Sequence, residues 1–135
     1  MARRWTKNAW AWGPPIVLLV AIFCVSGMSH PPFVAGRSVL FVKTGHALAY
    51  ALLCTLLFRA LRFSCRVWVF HWSPVLALVL ASCYGATDEF HQLFVPGRSG
   101  EVRDWAIDTL GALTAAVVLL VYAELRDRPT AKRCD

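Results

Sequence analysis

Four long stretches that carry almost no charge constrain this chain more than any other feature. Between Lys7 and Arg37 there is no Asp, Glu, Lys or Arg, and the apolar core runs from Trp10 to Met28. A second stretch lies between Arg37 and Arg59, interrupted only by Lys43 and His46. The third covers Val67 to Thr87, with His71 near its start, and the fourth runs from Trp105 to Ala123 with Asp108 one turn inside. A bilayer core needs about 20 apolar residues per helix, and a helix satisfies its own backbone polar groups there. The chain is 58% hydrophobic and 16% charged, against roughly 25% charged for a soluble domain. A soluble fold of this length has too little interior to hide so much apolar surface. The expectation is an all-α integral membrane bundle of four transmembrane helices, with residues 1–135 forming one domain.

Basic residues set the expected orientation. One side collects Arg3, Arg4 and Lys7, then Arg59, Arg62 and Arg66, then Arg126, Arg128, Lys132 and Arg133. The other side has Arg37, Lys43, Arg98 and Arg103. The positive-inside rule places both termini in the cytoplasm. The first stretch is expected to be an uncleaved anchor rather than a signal peptide, because Ser26-Gly27-Met28-Ser29-His30 offers no small-x-small cleavage site. Trp5, Trp10 and Trp12 form an interfacial belt. The net charge of +6 sits in these short flanking clusters, so it marks topology and not a nucleic-acid footprint. Cys24, Cys54, Cys65, Cys83 and Cys134 lack metal-ligand spacing, and neither a metal, a cofactor nor a disulfide is expected. His30-Pro31-Pro32 opens the first outer loop, and Pro96-Gly97 with Ser99-Gly100 marks the turn between spans three and four. Pro14-Pro15 is taken to sit early in span one, where missing donors cost least, and Pro74 is expected to kink span three.

Helical spacing aligns the unusual polar groups. Lys43, His46 and Tyr50 share one face of span two; Gly85, Asp88, Glu89 and Gln92 share one face of span three. Asp104, Asp108, Gly111 and Ala115 form a third stripe on span four. Small residues at Ala81, Gly85, Gly111 and Ala115 are expected to let spans three and four approach closely. An ionisable group within a membrane costs several kcal/mol unless paired or hydrated, so such groups face the bundle and mark function. Asp88, Glu89, Asp104 and Asp108 therefore form the expected site, balanced by Lys43, Arg98, Arg103 and His46. The plainer alternative is a set of interfacial pairs that hold helices together. Asp104 taken alone also reads as a helix N-cap. His46 reads as a proton carrier or a hydrogen-bonded core histidine. Arg98 is the candidate for gripping phosphate or carboxylate, with a salt bridge to Glu101 or Asp104 as its alternative. His91 falls off the stripe, and His30 and His71 read as interfacial and structural.

The segments KTGHALAYALL and TDEFHQLFVPGRSGEVRDWAIDTLGAL also carry a family resemblance. Their order of Lys, His, Tyr, then Asp-Glu-x-x-Gln, a Pro-Gly-Arg turn, two Asp and Gly-Ala resembles the VanZ-like family of bacterial membrane proteins. The resemblance covers residues 43–112, and Asp108 departs from the Asn that many relatives carry there. It implies a multi-span cell-envelope protein and a link to reduced susceptibility to glycopeptides such as teicoplanin.

Three functions remain open from the residues. The first is binding of an envelope lipid, peptidoglycan precursor or glycopeptide by Lys43, His46, Tyr50, Asp88, Glu89, Gln92, Arg98, Asp104 and Asp108 on the extracytoplasmic face. The second is a hydrolase or transferase on a lipid-linked substrate, with Asp88, Glu89 or His46 catalytic and Arg98 stabilising an anion. The third is a small cation- or proton-coupled carrier using Asp88, Asp104 and Asp108. Membrane lipids are the expected partners, and the oligomeric state is not encoded in any pattern found.

Overall fold

The sequence forms four helices: α1 (Ala2–Ser26), α2 (Val39–Ser64), α3 (Val67–Gln92) and α4 (Val102–Asp127). The computed structural model describes residues 2–29, 36–64 and 67–127, with side chains for 9–29, 36–63 and 72–126. His30, Cys65, Arg66, Arg128, Lys132, Arg133 and Cys134 lie outside the described residues, as do the side chains of Arg3, Arg4, Trp5, Lys7 and His71. α3 continues past Thr87 to Gln92, and α4 begins at Val102, ahead of Trp105.

Contacts between the helices fix their directions. Lys43, early in α2, meets Asp104, early in α4. The Tyr84 hydroxyl, late in α3, donates to the Leu19 carbonyl of α1 at 2.7 Å. Arg59, late in α2, reaches Trp10 in α1. Chain neighbours are therefore antiparallel, and one end of the bundle gathers the end of α1, the start of α2, the end of α3 and the start of α4. We call this the polar end. α2 touches all three other helices, whereas α1 and α4 share no contact among the described residues.

The core is asymmetric. α2 supplies the bulk through Tyr50, Leu53, Cys54, Leu57 and Leu61, while α3 and α4 supply Ala77, Ala81, Ala112 and Ala116. Small side chains on two helices let the third insert its large ones, which is how helices pack where lipid removes the hydrophobic drive for association. Ala112 and Ala116, rather than Ala115, form the buried small-residue stripe of α4. Outward faces remain apolar, with Val17, Val20, Leu48, Leu52, Val79, Leu110, Val118 and Val121 at least half exposed. That much apolar surface on so small a bundle suits lipid as its surroundings. Three helices contain segments long and apolar enough to cross a membrane: Ala9–Ser26, Val39–Phe63 and Val102–Arg126. Among the described residues α3 does not reach that measure. The protein is a multi-pass membrane protein.

Pro14 and Pro15 do not occupy the first turn of their helix, as expected from sequence. α1 starts at Ala2, which places them about three turns inside. Pro14 cannot donate to the carbonyl of Trp10, four residues back. Arg59 supplies the missing donor: its Nη2 donates to the Trp10 carbonyl at 3.0 Å, and its guanidinium lies over the Trp10 ring at 4.4 Å. A freed carbonyl thus becomes the attachment of α1 to the far end of α2. Cys24, Cys54 and Cys83 are free thiols.

Candidate functional site at the polar end of the bundle

The α2 and α4 stripes meet rung by rung. Lys43 Nζ donates to Asp104 Oδ1 at 2.7 Å, with both side chains about one-third exposed. One turn deeper, His46 Nδ1 lies 3.3 Å from Asp108 Oδ1, and Asp108 is fully buried. The pair is close enough for electrostatic attraction, yet neither carboxylate oxygen of Asp108 accepts a well-directed hydrogen bond. One turn deeper again, Gly111 lies against the backbone of Ala47, and a Cβ there would collide with the Ala47 carbonyl. Gly111 therefore permits close approach of α4 to α2, not of α4 to α3 as the stripes had suggested. Gly85 faces Tyr50 of α2 and Trp105 of α4, whose ring atoms lie 3.3 Å from where its Cβ would be. α3 is tied to α4 by polar contacts instead. Trp105 Nε1 donates to the Ser82 carbonyl at 3.0 Å, and the Ser82 and Thr109 hydroxyls lie 2.9 Å apart. Asp104 is not an N-cap, because α4 already begins at Val102. It sits in the first turn, where a carboxylate complements the helix dipole.

The α3–α4 connection is held from below by Glu89. Its Oε2 accepts the Glu101 backbone N–H at 2.8 Å, one of the orphan donors at the start of α4. Gln92 Nε2 donates to Glu89 Oε1 at 3.3 Å and to Asp88 Oδ2 at 3.1 Å. Gly100 passes so close to the Glu89 carbonyl that a Cβ would collide with it. Gly97 takes a left-handed conformation, with φ of 79°, which a glycine adopts without steric cost. The tight turn brings Arg98 back over the bundle. Arg98 has no carboxylate partner among the described residues, so the expected alternative of a bridge to Glu101 or Asp104 is not formed.

A cavity of about 320 Å³ opens beside this arrangement, between α1 and α2. Leu18, Ala21, Ile22 and Val25 of α1 and Phe41, Val42, Gly45 and Ala49 of α2 form its apolar walls. Ser26, His46, Tyr50, Asp88 and Arg98 line it with polar groups. Ser26 Oγ, the Tyr50 hydroxyl, Asp88 Oδ1 and Arg98 Nε are all buried and have no hydrogen-bond partner. Buried polar atoms are normally paired, and these four unpaired ones all belong to residues that line this cavity. A Cβ on Gly45 would meet nothing within 4 Å. The space is open there.

The sequence-derived site thus divides into three. His46, Tyr50, Asp88 and Arg98 converge on the cavity. Lys43, Asp104 and Asp108 form the α2–α4 seam, and Glu89 and Gln92 brace the connection that carries Arg98. His91, set apart in the sequence, stacks on Phe23 with ring centroids 4.5 Å apart and joins α3 to α1. The α1 wall and Ser26 were not foreseen. The one available signal was Ser26-Gly27, a polar break directly after an apolar run. Among the described residues no three His, Cys, Asp or Glu side chains group as metal ligands.

A family model described as VanZ/LLP1 matches residues 4–123. The match includes α1, beyond the segment 43–112 that carries the motifs. No curated protein and no solved structure matches the chain.

Proposed function

The chain belongs to the VanZ/LLP1 family, and from that premise we propose that it binds an amphiphile with an anionic headgroup at the bacterial cell envelope. The ligand class comprises envelope lipids, lipid-linked peptidoglycan precursors and glycopeptides. Lowered glycopeptide susceptibility, the family's known link, would follow from such binding. The observation that carries this is the cavity, with apolar walls from α1 and α2 and four unpaired polar atoms around it. Arg98 is the anion-binding group, since a guanidinium offers only donors in a planar fork. His46, Tyr50, Asp88 and Ser26 complete the headgroup contacts. Lys43, Asp104, Asp108, Glu89 and Gln92 position them. Binding fits better than catalysis by Glu89, because both Glu89 oxygens are already engaged.

The test is antibiotic or envelope-stress susceptibility, measured with membrane abundance and melting temperature for each variant. Arg98→Gln should return susceptibility to that of cells lacking the protein while abundance and melting temperature stay at wild-type levels. Arg98→Lys keeps the charge and loses bidentate geometry, so a loss there points to planar recognition of phosphate or carboxylate. Wild-type susceptibility in Arg98→Gln would sink the proposal.

We further propose that α3 crosses the membrane with the other three, that both termini are cytoplasmic, and that the polar end faces outward. The distribution of Lys and Arg supports this orientation. In a cysteine-free background, single cysteines at Arg37 and Ser99 should react with an impermeant thiol reagent in intact cells, and one at Arg62 should not. Labelling at Arg62 with protection at Ser99 would reverse the orientation.

A further inference from the structure

We infer that the headgroup received here carries a hydrogen-bond donor beside its anion, which selects phospholipids bearing a hydroxyl or primary ammonium group over those bearing a quaternary ammonium. This rests on the amphiphile-binding reading above and sharpens it. Two groups on the cavity wall discriminate. Arg98 has donors and no acceptor, so it asks for an anion. Asp88 asks for the opposite. It is 3% exposed and lines the cavity, its Oδ2 is occupied by Gln92, and its Oδ1 is buried without a partner. An ionised carboxylate only accepts hydrogen bonds. A ligand that presents acceptors alone would therefore leave Asp88 Oδ1 unpaired, whereas one that brings a donor satisfies it.

The hydroxyls of Tyr50 and Ser26 donate or accept as required, so they do not choose between headgroups. A phosphate diester with a glycerol hydroxyl or a primary ammonium meets both demands at once. A choline headgroup supplies the anion but neither an N–H nor an O–H. A neutral glycolipid supplies donors but no anion.

The experiment uses full-length protein exchanged into nanodiscs containing equal parts phosphatidylglycerol, phosphatidylethanolamine, phosphatidylcholine and a neutral glycosyl diacylglycerol. Lipid retained on the released protein is read by native mass spectrometry. Phosphatidylglycerol or phosphatidylethanolamine should be retained about tenfold over phosphatidylcholine, the ratio that one unsatisfied buried acceptor implies. Which of the two dominates distinguishes hydroxyl from ammonium. Asp88→Asn, of nearly the same size, should reduce the preference to under about threefold, and Asp88→Ala should do the same. Gly45→Leu grows into open space and should displace every lipid without loss of fold. Equal retention of phosphatidylcholine, with Gly45→Leu still displacing lipid, overturns the donor requirement and leaves the binding reading standing. Retention indifferent to both Gly45→Leu and Arg98→Gln overturns the two together.

Discussion

Leucine at Gly111 should remove most of the folded protein from the membrane. The Cβ of any larger residue would enter the Ala47 carbonyl, so accommodation requires α4 to withdraw from α2. That withdrawal would also part Lys43 from Asp104 and His46 from Asp108, which lie on the same seam. Ordinary overpacking costs about 1–3 kcal/mol. A backbone obstacle cannot rotate away as a side chain can, so we expect a loss at or above the upper end. Gly111→Ala should already lower the melting temperature in detergent. Gly45→Ala is the matched control on the facing helix, because its Cβ meets nothing, and it should be neutral or slightly stabilising. Equal melting temperatures for Gly111→Leu and wild type would show that the seam is not where the bundle closes.

Glu89→Ala should be the second most damaging change. It deletes the acceptor for the Glu101 N–H and for one arm of Gln92, and hydrogen bonds to a charged group contribute about 1.5–3 kcal/mol. Glu89→Gln keeps an amide oxygen in the same place, so roughly half of that should survive, given the strength of charge-assisted bonds relative to neutral ones. Melting temperatures should therefore rank wild type, Glu89→Gln, Glu89→Ala. Lipid retention should weaken in parallel, since the segment Glu89 holds is the one that carries Arg98. Unaltered stability in Glu89→Ala would mean that the start of α4 is secured elsewhere.

The helices were legible from sequence because a membrane makes them so: few charges, long apolar runs and a 3.6-residue period are physical requirements. The polar stripes were legible for the same reason, and Lys43, His46, Tyr50, Asp88 and Arg98 do gather at one end. Partner choice was not. The Gly111 stripe fits a groove on either neighbouring helix, and only the three-dimensional packing sets it on Ala47. Nor was the cavity wall legible on α1. Leu18, Ile22 and Val25 that line a cavity read the same as leucine, isoleucine and valine that face lipid, since both surroundings are apolar. The place of Pro14 was hidden too. Its depth depends on the helix starting at Ala2, through residues whose polarity gives no helical signal.

The seam between α2 and α4 has a bearing on how the protein is made. Synthesis proceeds from the N-terminus, so α2 is finished while Asp104, Asp108 and Gly111 are still to be translated. During that interval Lys43 and His46 have no counter-charge from α4, and Ala47 has no glycine to receive it. The earlier helices can be threaded one by one, but the tightest joint forms only with the last. A chain released before α4 would hold Lys43 and His46 on α2 without the carboxylates that face them on the finished seam.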